Sequence, residues 1–535
     1  MRGRMMEVPL LVSSLIEHAG RVHADREIVG RTGTDGSHRG TWGDVRVRSK
    51  RLAGALEARG IERSDRIGTL AWNTHRHLEI YYAASGMGAV CHTLNPRLHQ
   101  AQLVYILNHA ADRVLFFEPG FLPMVEAVAD RVPVETFVLL GDAADLPDSS
   151  LRGLLAYEDL LTEHDGAYAW PLLDENEAAS LCYTSGTTGN PKGALYSHRS
   201  TVLHAWGAIQ PDVFCLGRND AVLPIVPMFH ANAWGLPYAA AAVGAKIVFP
   251  GPRLDPEGLT EQMWEEGVSM CAGVPSVFIP LLRHWKEHRL EKPPALKMML
   301  LGGSAPPRSL IESIEGDCSI EFRHAWGMTE LSPLGSTNPL TPEQRLEPVA
   351  QRSRFHARQG RPPFGVEMRI VGEEHAPVPH DGAAFGELQV RGPWVVDGYY
   401  RSDEHKLTDD GWFPTGDVAT IDASFSMQIT DRTKDLIKSG GEWISSIDVE
   451  NAAMGHPGIT LAAVVGVPNE RWGERPLLIA VPASDPPPAA ESVLDHLRGS
   501  LAEWQLPDEV IFVDELPMGA TGKVQKTKLR ELYAG

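Results

Sequence analysis

Short runs of continuous apolar residues alternate with longer stretches of helical spacing through most of this chain. Segments 180–183, Ala221–Pro224, Lys246–Phe249 and 297–301 read as buried strands, and 199–209 and Leu236–Val243 read as helices between them. A strand covered on both faces shows no polar alternation, so this rhythm predicts an α/β fold built on a largely parallel, helix-covered sheet. Around 386–396 the pattern changes to short strands and turns, which predicts a small antiparallel barrel or sheet. A polar, charged stretch at 431–435 precedes the last hundred or so residues and marks a domain boundary. At the N-terminus Arg2 and Arg4 precede an apolar run at 8–16. That run carries Pro9, Ser13 and Ser14, ends at Glu17 and has no small-residue cleavage site. It reads as an amphipathic first helix rather than a signal peptide. No run approaches the ~18 apolar residues of a transmembrane helix. No internal repeat is visible, and Pro486, Pro487 and Pro488 read as a surface loop.

Composition narrows the functional classes. The 535 residues are 43% hydrophobic and 22% charged, ordinary for a globular protein. The formal charge of −20 repels phosphate backbones and anionic membrane surfaces, which argues against nucleic-acid binding. A local basic patch does exist at 521–535, with Lys523, Lys526, Lys528 and Arg530 against Glu531. The five cysteines, Cys91, Cys182, Cys215, Cys271 and Cys318, form no CxxC pair. Their odd number and wide spacing fit a reduced, cytoplasmic protein without zinc or disulfides.

The densest chemistry lies at 184–193: Thr184, Ser185, Gly186, Thr187, Thr188, Gly189, Asn190, Pro191, Lys192 and Gly193. Glycines let backbone N–H groups turn toward an anion, and hydroxyls and a lysine add donors, so this loop is a phosphate cradle. It is not a Walker A loop, because no GK[ST] occurs in it. Gly86 and Gly88 begin a dinucleotide fingerprint that fails at Cys91. Gly302, Gly303 and Ser304 end a strand, where a ligand can approach bare backbone. His324, Ala325, Trp326, Gly327, Met328, Thr329 and Glu330 place an aromatic face beside a carboxylate suited to magnesium. Asp417 follows a turn-rich segment and can accept from ribose hydroxyls. A second glycine loop holds Lys438, Gly440, Gly441, Glu442 and Trp443, and Lys523 stands on a glycine-rich tip.

In order and spacing these segments resemble the adenylate-forming superfamily of acyl-CoA synthetases, luciferases and peptide-synthetase adenylation domains. The resemblance rests on YTSGTTGNPKG (183–193), HAWGMTE (324–330), GWFPTGD (411–417), DRTKDLIKSGGEWIS (431–445) and GKVQKTKLRE (522–531), and covers essentially the whole chain. PMFHANAW (227–234) is similar to bacterial fatty acyl-CoA ligases. GNPKGALYSHRSTVLH (189–204) and HAWGMTELSP (324–333) resemble ligases that activate 3-methylmercaptopropionate.

The resemblance implies a large N-terminal domain (1–431) of two helix-covered sheets plus a small distorted β-barrel. A hinge (432–434) and a mobile α+β C-terminal domain (435–535) follow. It implies ATP, magnesium and coenzyme A as reactants, with a carboxylic acid first adenylated and then passed to the CoA thiol. Delivery to a carrier protein, or a catalytically dead nucleotide-binding protein, are the other readings. By resemblance, Ser185 to Lys192 hold the phosphates, and Thr184 and Glu330 flank magnesium. Gly302, Gly303, Ser304 and residues 324–329 line the adenine site, where Trp326 replaces the more usual Tyr and loses a hydroxyl. Asp417 and Arg432 hold the ribose. Lys523 bridges carboxylate and α-phosphate, and Lys434 is the hinge. Lys438, Gly440, Gly441, Glu442 and Trp443 shape the CoA channel, and His230 and Trp234 line the acyl pocket. A homodimer is the family-level expectation.

Overall fold

The computed structural model describes residues 1, 3–32, 36–184, 190–432, 434–439, 442–519 and 524–533, with the side chains of residues 145, 373, 442 and 443 excepted. The apolar runs become strands close to where the pattern predicts them: Ala178–Tyr183, Ala221–Pro224, Lys246–Phe249 and Met298–Leu301. The helical spacing at 199–209 becomes His198–Ala208, started by Ser197, whose hydroxyl accepts from Ser200 N–H in a reciprocal capping box. The first helix is displaced from its expected 8–16 span to Val12–Val22. Its buried positions, Val12, Leu15, Ile16 and Ala19, follow the helical period only from residue 12 onward, and Pro9 falls before it.

Two large sheets carry the N-terminal part. In one, Thr136–Leu139, Asp112–Phe117, Arg66–Leu70, Val90–Thr93 and Ala178–Tyr183 run parallel, and Gly193–Ser197 adds an antiparallel edge. In the other, Glu321–Gly327, Met298–Leu301, Met270–Gly273, Ala221–Pro224, Lys246–Phe249 and Glu27–Arg31 run parallel, with antiparallel strands at both edges. Glu27–Arg31 thus pairs with a strand more than two hundred residues downstream.

The main core lies in the helical layer between these sheets. Helix His75–Met87 is buried along almost its whole length, with Tyr81 and Tyr82 fully enclosed, so it shows no polar face. Trp42, Tyr238 and the first helix pack into the same layer. Separate cores form on the outer faces, Phe278 and Trp285 against one sheet and Leu103 and Leu107 against the other.

The antiparallel region expected near 386–396 is a four-stranded sheet of Glu367–Val371, Phe385–Arg391, Phe413–Ile421 and Met427–Arg432. A small C-terminal domain follows. Its long hairpin, Ile459–Asn469 with Gly473–Pro482, is covered by helices Ser446–Met454 and Ala490–Arg498. Among the described residues no helix is long and apolar enough to cross a membrane.

Candidate active site

Three strands deliver the motif residues from their carboxyl ends, where open α/β sheets place ligands. Tyr183 closes one strand opposite Gly193, and Thr184 N–H donates to the Lys192 carbonyl at 2.8 Å, which forms the neck of the hydroxyl-rich loop. Ser185, Gly186, Thr187, Thr188 and Gly189 lie outside the described residues. Lys192 reaches Glu404 at 3.1 Å and lies 5.1 Å from the centroid of the Tyr399 ring. The same Tyr399 donates its hydroxyl to Glu330 Oε1 at 2.6 Å. Tyr400 N–H donates to Gly193 O at 2.8 Å, tying this aromatic pair to the loop's exit strand.

Glu330 is 6% exposed. Burial raises its carboxyl pKa, and the Tyr399 hydroxyl opposes that rise by favouring the anion. A buried carboxylate suits magnesium, which takes one or two carboxylates and completes its octahedron with phosphate and water oxygens. Among the described residues no group of three His, Cys, Asp or Glu side chains forms a self-sufficient metal cage.

A second cluster forms one strand end away. Trp326 Nε1 donates to Asp417 Oδ2 at 3.0 Å, and Arg432 Nε lies 3.5 Å from Asp417 Oδ1. Asp417 and Arg432 are direct cross-strand partners, so the antiparallel register alone brings them together. Trp326 loses the usual tyrosine's hydroxyl but keeps a donor in its indole N–H. His324 lies on the same strand as Trp326. It is buried with Nδ1 on the carbonyls of His356 and Arg358, and its pKa is pushed down to about 4 by burial.

Gly302 and Gly303 follow Leu301, and Gly303 takes a φ of +83°. A Cβ on Gly302 would lie 3.0 Å from both the Ala325 carbonyl and the Trp234 ring, so the indole covers bare backbone here. Trp234 is delivered by a turn with unusual geometry. Ala231, Asn232, Ala233 and Trp234 have φ of 43°, 52°, 50° and 57°, a run of four non-glycine residues in the left-handed region, and Gly235 ends it at 74°. Each such residue costs roughly 1–2 kcal/mol, so the turn persists only because its surroundings hold it. His230 precedes the turn and joins Trp234 at this corner.

Two of the C-terminal candidates have described partners. Lys438 is on strand Ile437–Ser439, paired in register with Trp443, and Lys434 offers its carbonyl to Arg530 at 3.1 Å. Gly440, Gly441 and Lys523 lie outside the described residues, as do the side chains of Glu442 and Trp443. Two residues of the site escape sequence reasoning. Tyr399 stands far along the chain from Glu330 in a segment without a motif, though its tandem aromatic after Gly398 is a faint signal. Asn232 hides inside an apolar run that reads as pocket lining.

The family model for AMP-binding enzymes matches residues 16–400, and that for the AMP-binding enzyme C-terminal domain matches 448–523. The 3-methylmercaptopropionyl-CoA ligase of Ruegeria lacuscaerulensis is 50% identical over 100% of this chain and 99% of that protein. The medium-chain-fatty-acid–CoA ligase of Ectopseudomonas oleovorans is 48% identical over 100% and 98%. ATP-bound MatB from Rhodopseudomonas palustris superposes with a TM-score of 0.83 at 25% identity, covering 98% of this chain and 99% of that one. The chain belongs to the AMP-binding enzyme family. Within it, this protein is an ATP-dependent acid–CoA ligase that works through an acyl-adenylate.

Proposed function

We propose that this ligase activates an unbranched acid of short to medium length, an alkanoate or its thioether counterpart 3-methylmercaptopropionate. A thioether sulfur is apolar and replaces a methylene in a straight chain, so one pocket accepts both. The observation that carries the proposal is the indole of Trp234 lying across Gly302, which puts an apolar wall beside the adenylate position. The high identity to a 3-methylmercaptopropionyl-CoA ligase and to a medium-chain ligase supports the same range.

In this proposal the 184–192 loop holds the β- and γ-phosphates, and Thr184 and Glu330 hold magnesium, which supplies charge neutralisation on the phosphates. Trp326, with the backbone at 302–304 and 324–329, borders the adenine, and Asp417 with Arg432 takes the ribose hydroxyls. His230 and Trp234 line the acid pocket. Lys523 neutralises the charge that builds as the carboxylate meets the α-phosphate. The C-terminal domain then turns about 432–434, and residues 438–443 enter to guide the CoA thiol. A homodimer and a cytoplasmic location complete the proposal, and light scattering on the purified chain checks the first.

The test is a panel of acids from acetate to stearate, with 3-methylmercaptopropionate and aryl acids, followed by AMP release and loss of free thiol together. A peak at short or medium acids, with 3-methylmercaptopropionate near it, is expected. A peak at stearate overturns the acid assignment, and adenylate accumulation with thiol unconsumed transfers the role to a carrier-protein partner. Lys523→Ala separates the steps: adenylation falls on the order of 100-fold or more, while thioester formation from supplied acyl-adenylate is retained. Equal loss in both steps contradicts the rotating-domain reading.

A further inference from the structure

We propose that Asn232 sets the acid specificity of this ligase. Its side-chain amide latches the strained left-handed turn Ala231–Trp234 to strand Ala178–Tyr183, which holds Trp234 across Gly302. The inference rests on the reading that Trp234 borders the acid pocket, and adds the device that fixes where Trp234 stands.

The turn's own hydrogen bonds are short-range, Ala233 N–H to His230 O at 3.2 Å and Gly235 N–H to Asn232 O at 3.0 Å. Such bonds close a turn of either hand and do not select the left one. Asparagine is the residue in the turn that tolerates this region, because its short amide can bond locally or outward. Here it bonds outward. Asn232 is 2% exposed, and its Nδ2 donates to Ser180 Oγ at 2.9 Å. Its Oδ1 accepts from the Cys182 thiol at 3.2 Å and lies 3.4 Å from the Tyr81 hydroxyl. Tyr81 is itself anchored on the Met228 carbonyl at 2.5 Å.

Ser180 and Cys182 are two apart on one strand, so both point to the face the turn packs against. That strand is the one that runs into the phosphate loop. The latch therefore fixes the acid corner to the same rigid element that fixes the nucleotide corner. Burial of Ala231 and Ala233 packs the turn without selecting its hand, and the Asn232 amide ties it to the strand, so loss of the amide is expected to let Ala231, Ala233 and Trp234 relax toward ordinary φ and the indole to leave Gly302. The adenine and ribose contacts lie on other strand ends, and the phosphate loop leaves this strand through the backbone pairing of Tyr183 with Gly193, which the amide does not touch, so these stay in place.

The experiment compares wild type, Asn232→Ala, Asn232→Gly and Ser180→Ala as full-length enzymes, reading kcat/KM for straight-chain acids from butyrate to palmitate together with KM for ATP. A shift in wall position of one methylene is worth roughly 10-fold or more in selectivity. Asn232→Ala is expected to change the long-to-short ratio by at least that factor, with KM for ATP essentially unchanged. Asn232→Gly is expected to lie closer to wild type, since glycine keeps the left-handed turn without strain although it leaves the larger hole. A residue that merely filled space would give the opposite order. Ser180→Ala removes one hydrogen bond, gives a smaller shift in the same direction, and decides the matter if Asn232→Ala does not fold.

An equal loss for every acid in both Ser180→Ala and the Asn232 variants, or a rise in KM for ATP alongside, overturns the inference. Wild-type enzyme that releases no AMP with any acid defeats the functional reading instead, so the two failures are distinguishable.

Discussion

At the scale of single residues, one carboxylate of the candidate site, Glu330, stands in a place that disfavours charge. Burial pushes the Glu330 pKa up, and the Tyr399 hydroxyl is the first group that holds it down. Removing that donor with Tyr399→Phe lets the pKa rise further, so protonation reaches Glu330 at a higher pH. The acid limb of the kcat/KM profile for ATP is expected to move toward alkaline pH, with activity at mildly acid pH falling several-fold more than activity at alkaline pH. A uniform loss across the profile would show that Tyr399 serves only as packing. Glu330 was legible in the sequence because its motif is local. Tyr399 was not, because the contact is made by folding across a long separation, and Lys192 above its ring belongs to a third segment.

At the scale of elements, sequence legibility followed local periodicity. Ala221–Pro224 and Lys246–Phe249 are continuous apolar runs, and they fold as read. The turn Ala231–Trp234 carries no glycine and no proline, so no turn chemistry announces it; tertiary hydrogen bonds impose it. The start of the first helix was misplaced because its apolar run extends upstream through Pro9. The last helix, Lys526–Tyr533, makes its own prediction. Lys526 lies 2.7 Å from Glu450 and bonds Ser446, while Arg530 pairs with Asp435 beside the hinge segment. Glu450 and Lys526 are both largely enclosed, about 15% and 14% exposed at the side chain, and Lys526 is the cation beside that carboxylate. Lys526→Met leaves that carboxylate unpaired and is expected to cost about 3–5 kcal/mol of C-terminal-domain stability. Hydrogen exchange should show the loss over the hairpin 459–482, with protection in the two N-terminal sheets unchanged. Equal protection in variant and wild type would mean the pair contributes little.

At the scale of the whole molecule, several buried histidines are held neutral. The pKa of His77, His198 and His324 is pushed down to about 4 and that of His204 to about 3, chiefly by burial. His198 and His204 each accept a backbone N–H on a ring nitrogen, a bond that requires the neutral ring. In the unfolded chain these groups take a proton near pH 6.5, so the unfolded state binds more protons below that value and stability is lost as pH falls from 6.5 toward 4. Each contributes about 1 kcal/mol of loss at roughly pH 5.5. Glu118 works the other way, since burial raises its pKa to about 7 and the folded state gains protons as pH falls through that value. Set against Glu118, the one carboxylate here raised to about 7, the four histidines dominate near neutral pH, so urea midpoints are expected to drop between neutral pH and mild acid. Flat midpoints over that range would refute the balance.

The pairing of Glu27–Arg31 with Lys246–Phe249 has a consequence for how the protein is made. On the ribosome this apolar segment emerges well before its partner strand, which is synthesised roughly 10–40 s later at ordinary elongation rates. Through that interval Ile28 and Val29, both buried in the finished fold, can pair only with the neighbouring strand Ser37–Thr41 and lack the parallel partner on their other side. A nascent chain stalled before residue 246 thus carries an open strand edge that only a chaperone or another chain can cover. Slower synthesis between residues 31 and 246 lengthens that exposure and is expected to lower the yield of folded enzyme.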